Sequence, residues 1–385
     1  MEIKIKKEKQ ELPIKNTAIS RIFSYKYNIN DHDNTLNEVL DSQASIEVDK
    51  LPIIIDPKCR IGIEVEVENI PSFNDNIMYS WQLHDDSSLR NNGREFVSFP
   101  IYGQQIPLSL ALLFTNILPI GYDFSKRTSI HIHMNVRNMT PEQVAAFVCL
   151  FIVFEKLLYR FVGNNRDKNI FCVPLYETQI SNYILEAMNC GFSNVRWYKY
   201  AGLNLLPITT QGSIELRQLH GTDDVSKICT WINLLQRIRL HAMSRSLDDI
   251  LNEIRDLNTN SQYDFFVQKI FLSEARFLSF YSLVNDMESG VTCVKECTLN
   301  NKFHQLVLSK IVIESELVST IIKIQNKNRI GKNALSATPT EQDVGFISVT
   351  STIARPENEQ TYLNNNWTIS DGPVEVVLSP QEIRR

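Results

Sequence analysis

Apolar and polar residues alternate with a period of two in several stretches of this chain, and follow a helical period in others. In Ile61-Gly62-Ile63-Glu64-Val65-Glu66-Val67-Glu68, an extended backbone sends Ile61, Ile63, Val65 and Val67 to one face. Glu64, Glu66 and Glu68 then share the other. Ser129 to Val136 repeats this logic, with Ile130, Ile132 and Met134 opposed to His131, His133 and Asn135. In Gly212 to Gln218, Ile214 and Leu216 oppose Glu215 and Arg217. Strand-like character also runs from Cys59 to Pro100, broken by a polar turn around His84 to Gly93, and over Tyr200 to Pro207 and Ser213 to Leu219.

The helical stretches start differently. Thr140-Pro141-Glu142-Gln143 has Thr to cap, Pro at the first position and Gln three residues on, and predicts a buried helix to about Phe161. Thr222-Asp223-Asp224 caps an amphipathic helix carrying Val225, Ile228, Ile232, Leu235 and Ile238. Shorter helices are expected at Pro107 to Leu118 and Ser181 to Asn189, and longer ones at about 247–256, 262–287 and 302–325. Asn164 to Asn169 reads as a loop. Strands scattered among helices without regular βαβ units predict an α+β fold with an antiparallel sheet. Three regions follow: an N-terminal extension at 1–56, a main domain at 57–325, and a polar tail at 326–385 that is loosely structured or orders on a partner.

Composition narrows the classes. Hydrophobic content of 43% and charged content of 22% allow a sizeable core. A net charge of −5 gives no electrostatic case for nucleic acid or an anionic membrane. The longest apolar run, Val144 to Phe154, is too short to span a bilayer, and Met1 to Gln10 lacks the apolar segment of a signal peptide. Seven cysteines without regular spacing suit a reducing compartment, so a cytoplasmic protein is expected.

The polar faces carry the chemistry. Three carboxylates about 7 Å apart on one strand are either a solvated face or, if buried, need a cation or proton to offset them. His131 and His133 are either satisfied histidines or neighbours able to contact a metal and an anion side by side. Glu215 and Arg217 read as an intrastrand ion pair, or as a metal ligand beside a phosphate-binding fork. Glu95 is a rim charge or a ligand. No glycine-rich phosphate loop and no serine nucleophile elbow are present.

Taken in order, four pieces resemble the amidoligase family of the glutamine synthetase and glutamate–cysteine ligase superfamily. They are Gly62-Ile63-Glu64-Val65-Glu66, then Asp86-Ser87-Ser88-Leu89 with Gly93-Arg94-Glu95-Phe96-Val97-Ser98-Phe99-Pro100, then Ser129-Ile130-His131-Ile132-His133, and Gly212-Ser213-Ile214-Glu215-Leu216-Arg217. Arg166 with Asn169, and Tyr200 with Asn204-Leu205, are weaker supports. The family pattern has Asp-Gly-Ser-Leu where this chain has Asp-Ser-Ser-Leu, so the turn at 86–89 departs from it.

The resemblance implies a curved antiparallel sheet of the glutamine synthetase catalytic type, with helices on its outer face. Glu64, Glu66, Glu95, His131 and Glu215 would hold Mg²⁺ or Mn²⁺. His133, Arg217 and Asn135 would contact ATP, and Arg217, Glu215 and Glu64 would serve catalysis. Arg196, Tyr200 and Asn204 would hold the acid substrate. The implied activity joins a small-molecule or peptide carboxylate to an amine through an acyl phosphate. Two alternatives stand beside it: a structural or binding protein that keeps a ligase-like sheet, and a metal-dependent hydrolase. The terminal extensions are expected to contact a protein partner or another copy.

Overall fold

A computed structural model describes residues 14–34, 36, 46–71, 79–118, 121–163, 165–178, 184–193 and 197–297. The expected helix at 302–325, the tail at 326–385 and Arg196 lie outside them.

The alternating stretches form one antiparallel sheet of six strands: β1 (Ile61–Val67), β2 (Trp81–His84), β3 (Arg94–Ser98), β4 (Ser129–Asn135), β5 (Leu203–Asn204) and β6 (Ser213–His220). Their order is β2-β3-β1-β4-β6-β5, which puts β1 and β4 at the centre. One face is apolar. Ile61, Ile63, Val65, Val67, Ile130, Ile132, Met134, Ile214 and Leu216 are all fully buried on it. Each such side chain contributes about 1.5–3 kcal/mol by leaving water.

Helices cover that face. They are α1 (Gln105–Leu112), α2 (Pro141–Val162), α3 (Ile184–Asn189), α4 (Val225–Ser244), α5 (Leu247–Asp256) and α6 (Asn260–Phe271). The start of α2 is capped as its sequence predicts: Thr140 accepts from the Gln143 N–H at 3.2 Å, and Gln143 accepts from the Thr140 N–H at 3.0 Å. The Asp224 carboxylate caps α4 through the Lys227 N–H. Most of α2 is buried.

Two elements depart from the sequence expectation. The strand expected over Tyr200 to Pro207 shrinks to Leu203–Asn204, because the Asn204 side chain accepts the Leu206 N–H and turns the chain into a helical turn at Pro207–Thr210. The helix expected over 262–287 breaks after Phe271, where Leu272 takes a φ of 49°. A 3-10 stretch follows at Leu272–Phe277, and helix resumes at 283–297. No helix among the described residues is long and apolar enough to cross a membrane.

The N-terminal stretch packs against the main domain. The Ile19 and Ser20 N–H groups donate to the Met139 and Arg137 carbonyls, and Tyr25 Oη donates to the Ile208 carbonyl at 2.6 Å.

Candidate functional site

The sheet's second face carries the polar residues, and register decides which of them meet. Glu64 pairs with His131 across β1 and β4, Glu66 with Glu95 across β1 and β3, and His133 with Glu215 across β4 and β6. The β4–β6 ladder shifts register between Ile130 and Ile132. The side chains of Glu215 and Arg217 both line a cavity of about 540 Å³ that also holds Glu64, Glu95, His131 and His133.

His131 sits at its centre. Nδ1 lies 2.9 Å from Glu64 Oε2 and 3.6 Å from Glu215 Oε1, while Nε2 lies 3.7 Å from Glu66 Oε1. One imidazole thereby faces two acidic clusters: Glu64 with Glu215, and Glu66 with Glu95. In each trio, donor atoms lie within 4.8 Å of one another. His131, Glu66 and Glu215 are almost wholly buried. Four carboxylates in so small a volume repel strongly unless protons or cations offset them. Carboxylate oxygens with imidazole fit a hard divalent ion such as Mg²⁺ or Mn²⁺.

Neighbouring groups hold these ligands in place. Ser129 donates to Glu66 Oε2 through its N–H at 2.8 Å and its hydroxyl at 2.6 Å, and the same hydroxyl lies 2.8 Å from His131 Nε2. Asn204 Nδ2 donates to Glu215 Oε2 at 2.7 Å, and Arg217 Nη1 pairs with Glu215 Oε1. The Arg217 Nε–H donates to the Phe171 carbonyl, and buried Arg166 donates to the Arg217 and Gln218 carbonyls at the ladder's irregularity.

Charge is distributed unevenly. Burial, with Glu64, Glu66 and Asp86 adding repulsion, pushes the Glu95 carboxyl up to about 8. Burial also acts against charge on Glu64, but His133 and the contacts from both imidazoles hold it well below the usual carboxylate range. Glu215 is lowered too: burial opposes its charge, and His131, His133 and Arg217 outweigh burial. His133 is raised to about 9, because Glu64 overcomes the desolvation that disfavours its charge. Its Nε2 lies 2.9 Å from Glu64 Oε1, an ion pair.

The remaining expected residues scatter. Asn135 lies away from the clusters: it lines a neighbouring cavity, and its side chain accepts the Arg137 N–H. Tyr200 stands beside the cup, its ring centroid 5.9 Å from the Arg217 guanidinium. Glu68 accepts the Arg90 N–H and joins neither cluster. Ser129, Arg166, the Phe171 carbonyl and Lys199 make the shell that sequence reasoning undervalued. Ser129, two residues before His131 on the same strand face, carried the clearest signal.

Residues 85–239 match a family model described as a putative amidoligase enzyme. That region, 155 of the 385 residues, is similar to the amidoligase family. Within it fall Glu95, His131, His133, Asn204, Glu215 and Arg217, whereas Glu64 and Glu66 on β1 precede it. No curated protein matches the chain. A solved structure described as a novel glutamine synthase homolog is similar at 11% identity, covering 69% of this chain and 75% of that one. Its TM-score of 0.26 is too low to carry any argument.

Proposed function

We propose that the amidoligase region makes this chain an ATP- and Mg²⁺-dependent ligase that joins a carboxylic acid to an amine. The meeting of two ligand clusters at His131, with Arg217 on the same floor, supports this reading most. A carboxylate is a poor electrophile. Transfer of the ATP γ-phosphoryl group to its oxygen breaks the bond to ADP and forms an acyl phosphate. Attack by a neutral amine then breaks the acyl C–O bond, releasing phosphate and a proton.

Glu64, His131 and Glu215 would hold one divalent ion, and Glu66 with Glu95 would offer oxygens to a second, since neutral His131 has one nitrogen lone pair to give. Ions bound there would neutralise charge on the phosphoryl oxygens. Arg217, fixed by the Phe171 carbonyl and Glu215, would add a guanidinium at the same place. Ser129 and Asn204 orient the Glu66 and Glu215 carboxylates, which favours catalysis by positioning.

The test is an ATP-consumption screen over acids and amines with the full chain. ADP and phosphate should appear only when both an acid and an amine are supplied. A Glu64→Gln protein with undiminished turnover would overturn the assignment, as would ester or phosphate hydrolysis without ATP.

A further inference from the structure

Beside the acidic cup lies a second cavity of about 500 Å³. The two share Glu64, His133, Thr210 and Gln211, so they adjoin at the ion pair. The walls differ in kind. Val97, Phe99 and Pro100 give this chamber an apolar lining, and its far wall comes from the N-terminal stretch through Tyr27, Ile29 and His32. None of that stretch belongs to the matched family region.

The aromatic wall is ordered by stacking. His32 lies parallel to Phe99 with centroids 3.8 Å apart and an interplanar angle of 4°, and it also stacks with Tyr27 at 5.5 Å. Asp33 anchors this wall by pairing with Arg60 at 2.8 Å. On the floor, a Cβ at position 62 would come within 3.2 Å of the His133 Cβ, so glycine keeps the space beside His133 open.

Two groups in the chamber lack a counterpart. Arg137 spends its N–H groups on the Tyr27 and Gln211 carbonyls and lies over the Tyr25 ring at 4.3 Å, but no carboxylate pairs with it among the described residues. The Tyr27 hydroxyl is buried and has no hydrogen-bond partner. Desolvation, reinforced by Asp31, raises that hydroxyl to about 12, so it remains a donor throughout the neutral range. An uncompensated cation favours an anion over a cation, and a buried unpaired donor favours a ligand that accepts.

We propose that this chamber receives the acid to be activated: a planar carboxylic acid with a second hydrogen-bond acceptor at its far end. Its carboxylate lies on the His133 side of the boundary with the cup, its ring packs against the aromatic wall, and its acceptor takes the Tyr27 hydroxyl. The N-terminal stretch is then the specificity wall. The assignment of the occupant as the activated acid rests on the ligase reading above; the chamber's preference for acids does not.

The full chain is titrated with 4-acetylbenzoate, benzoate and benzylamine by ligand-observed NMR, with Mg²⁺ and a non-hydrolysable ATP analogue titrated separately. 4-Acetylbenzoate should bind roughly five- to tenfold tighter than benzoate, the value of about one hydrogen bond, and benzylamine should bind weakest. Tyr27→Phe, with folding checked by near-ultraviolet circular dichroism, should remove the advantage of 4-acetylbenzoate while benzoate still binds. His32→Ala should weaken both acids. Tighter binding of benzylamine, or a 4-acetylbenzoate preference unchanged in both variants, overturns the proposal. Acid binding of the expected pattern without any Mg²⁺-dependent nucleotide binding would overturn the ligase reading and leave the chamber's preference standing.

Discussion

Divalent-ion affinity should rise steeply with pH, because Glu95 holds a proton that an ion must displace. Burial and the nearby Glu64, Glu66 and Asp86 carboxylates push Glu95 to about 8. At pH 7 about ten protonated carboxyls then exist for each ionised one, a handicap of about 1.4 kcal/mol on ion binding. The apparent affinity should climb about tenfold from pH 6 to 7, about fivefold from 7 to 8, and level off above about 9. The sign is fixed by linkage. A carboxyl raised in the folded state contributes stability below its unfolded value of 4.5 and loses it as pH rises through about 8, while a bound ion reverses that loss. Calorimetry with Mg²⁺ in buffers of different ionisation enthalpy reads both the affinity and the proton released. Glu95→Gln should reduce the release by about one proton at pH 7 and weaken binding far more at pH 8 than at pH 6. Constant affinity between pH 6 and 8, or an unchanged proton count in Glu95→Gln, would refute the reasoning.

Three further outcomes follow from the structure. Gly212 has a φ of +70° and a Cβ there would collide with Arg137 Cγ, so Gly212→Ala should cost about 1–2 kcal/mol for the backbone alone, read by urea unfolding. Arg166→Met leaves the Arg217 and Gln218 carbonyls without their buried donor; at about 1–3 kcal/mol each, it should lose about 2–6 kcal/mol, and a loss below about 1 kcal/mol would count against that role. Burial raises Glu155 to about 8 despite N–H donors at Leu175 and Tyr176, so its contribution to stability is full below about 4.5 and disappears as pH rises through 8. Unfolding midpoints of Glu155→Gln and the unaltered chain, compared at pH 6 and 9, should therefore show a smaller fall with pH in the variant.

Alternation along each strand was enough to assign Glu64, Glu66, His131, His133, Glu215 and Arg217 to polar faces, since a period of two is local. What it could not assign is which polar residue meets which. That depends on pairing between positions such as Glu64 and His131, which lie 67 residues apart, and on the irregularity between Ile130 and Ile132. The same limit hid the loop that presents the Phe171 carbonyl to Arg217. It also hid the return of Tyr27 and His32 to the sheet, because neither residue belongs to a periodic pattern. The break at Leu272 was illegible for another reason: Leu is a good helix former, so nothing in its propensity announces a φ of 49°.

The two faces of the sheet are one constraint. Slipping β1 by one residue against β4 would turn Ile63 and Val65 into the cup and drive Glu64 and Glu66 against α2 and its neighbours. That exchange would expose side chains now fully buried and place carboxylates where nothing neutralises them. The apolar face therefore fixes the register, and the register places Glu64 opposite His131 and Glu66 opposite Glu95. Repulsion among those carboxylates opposes folding of the ion-free chain, and burial of Ile61, Ile63, Val65 and Val67 on the other face holds the strand against it. A conservative loss on the apolar face, such as Ile63→Val, should then destabilise the ion-free protein by about 0.5–1.5 kcal/mol. Saturating Mg²⁺ should raise the melting temperatures of the variant and the unaltered chain alike, since only the folded register assembles the ligands. Equal shifts in melting temperature for Ile63→Val with and without Mg²⁺ are compatible with this; failure of Mg²⁺ to raise either melting temperature is not.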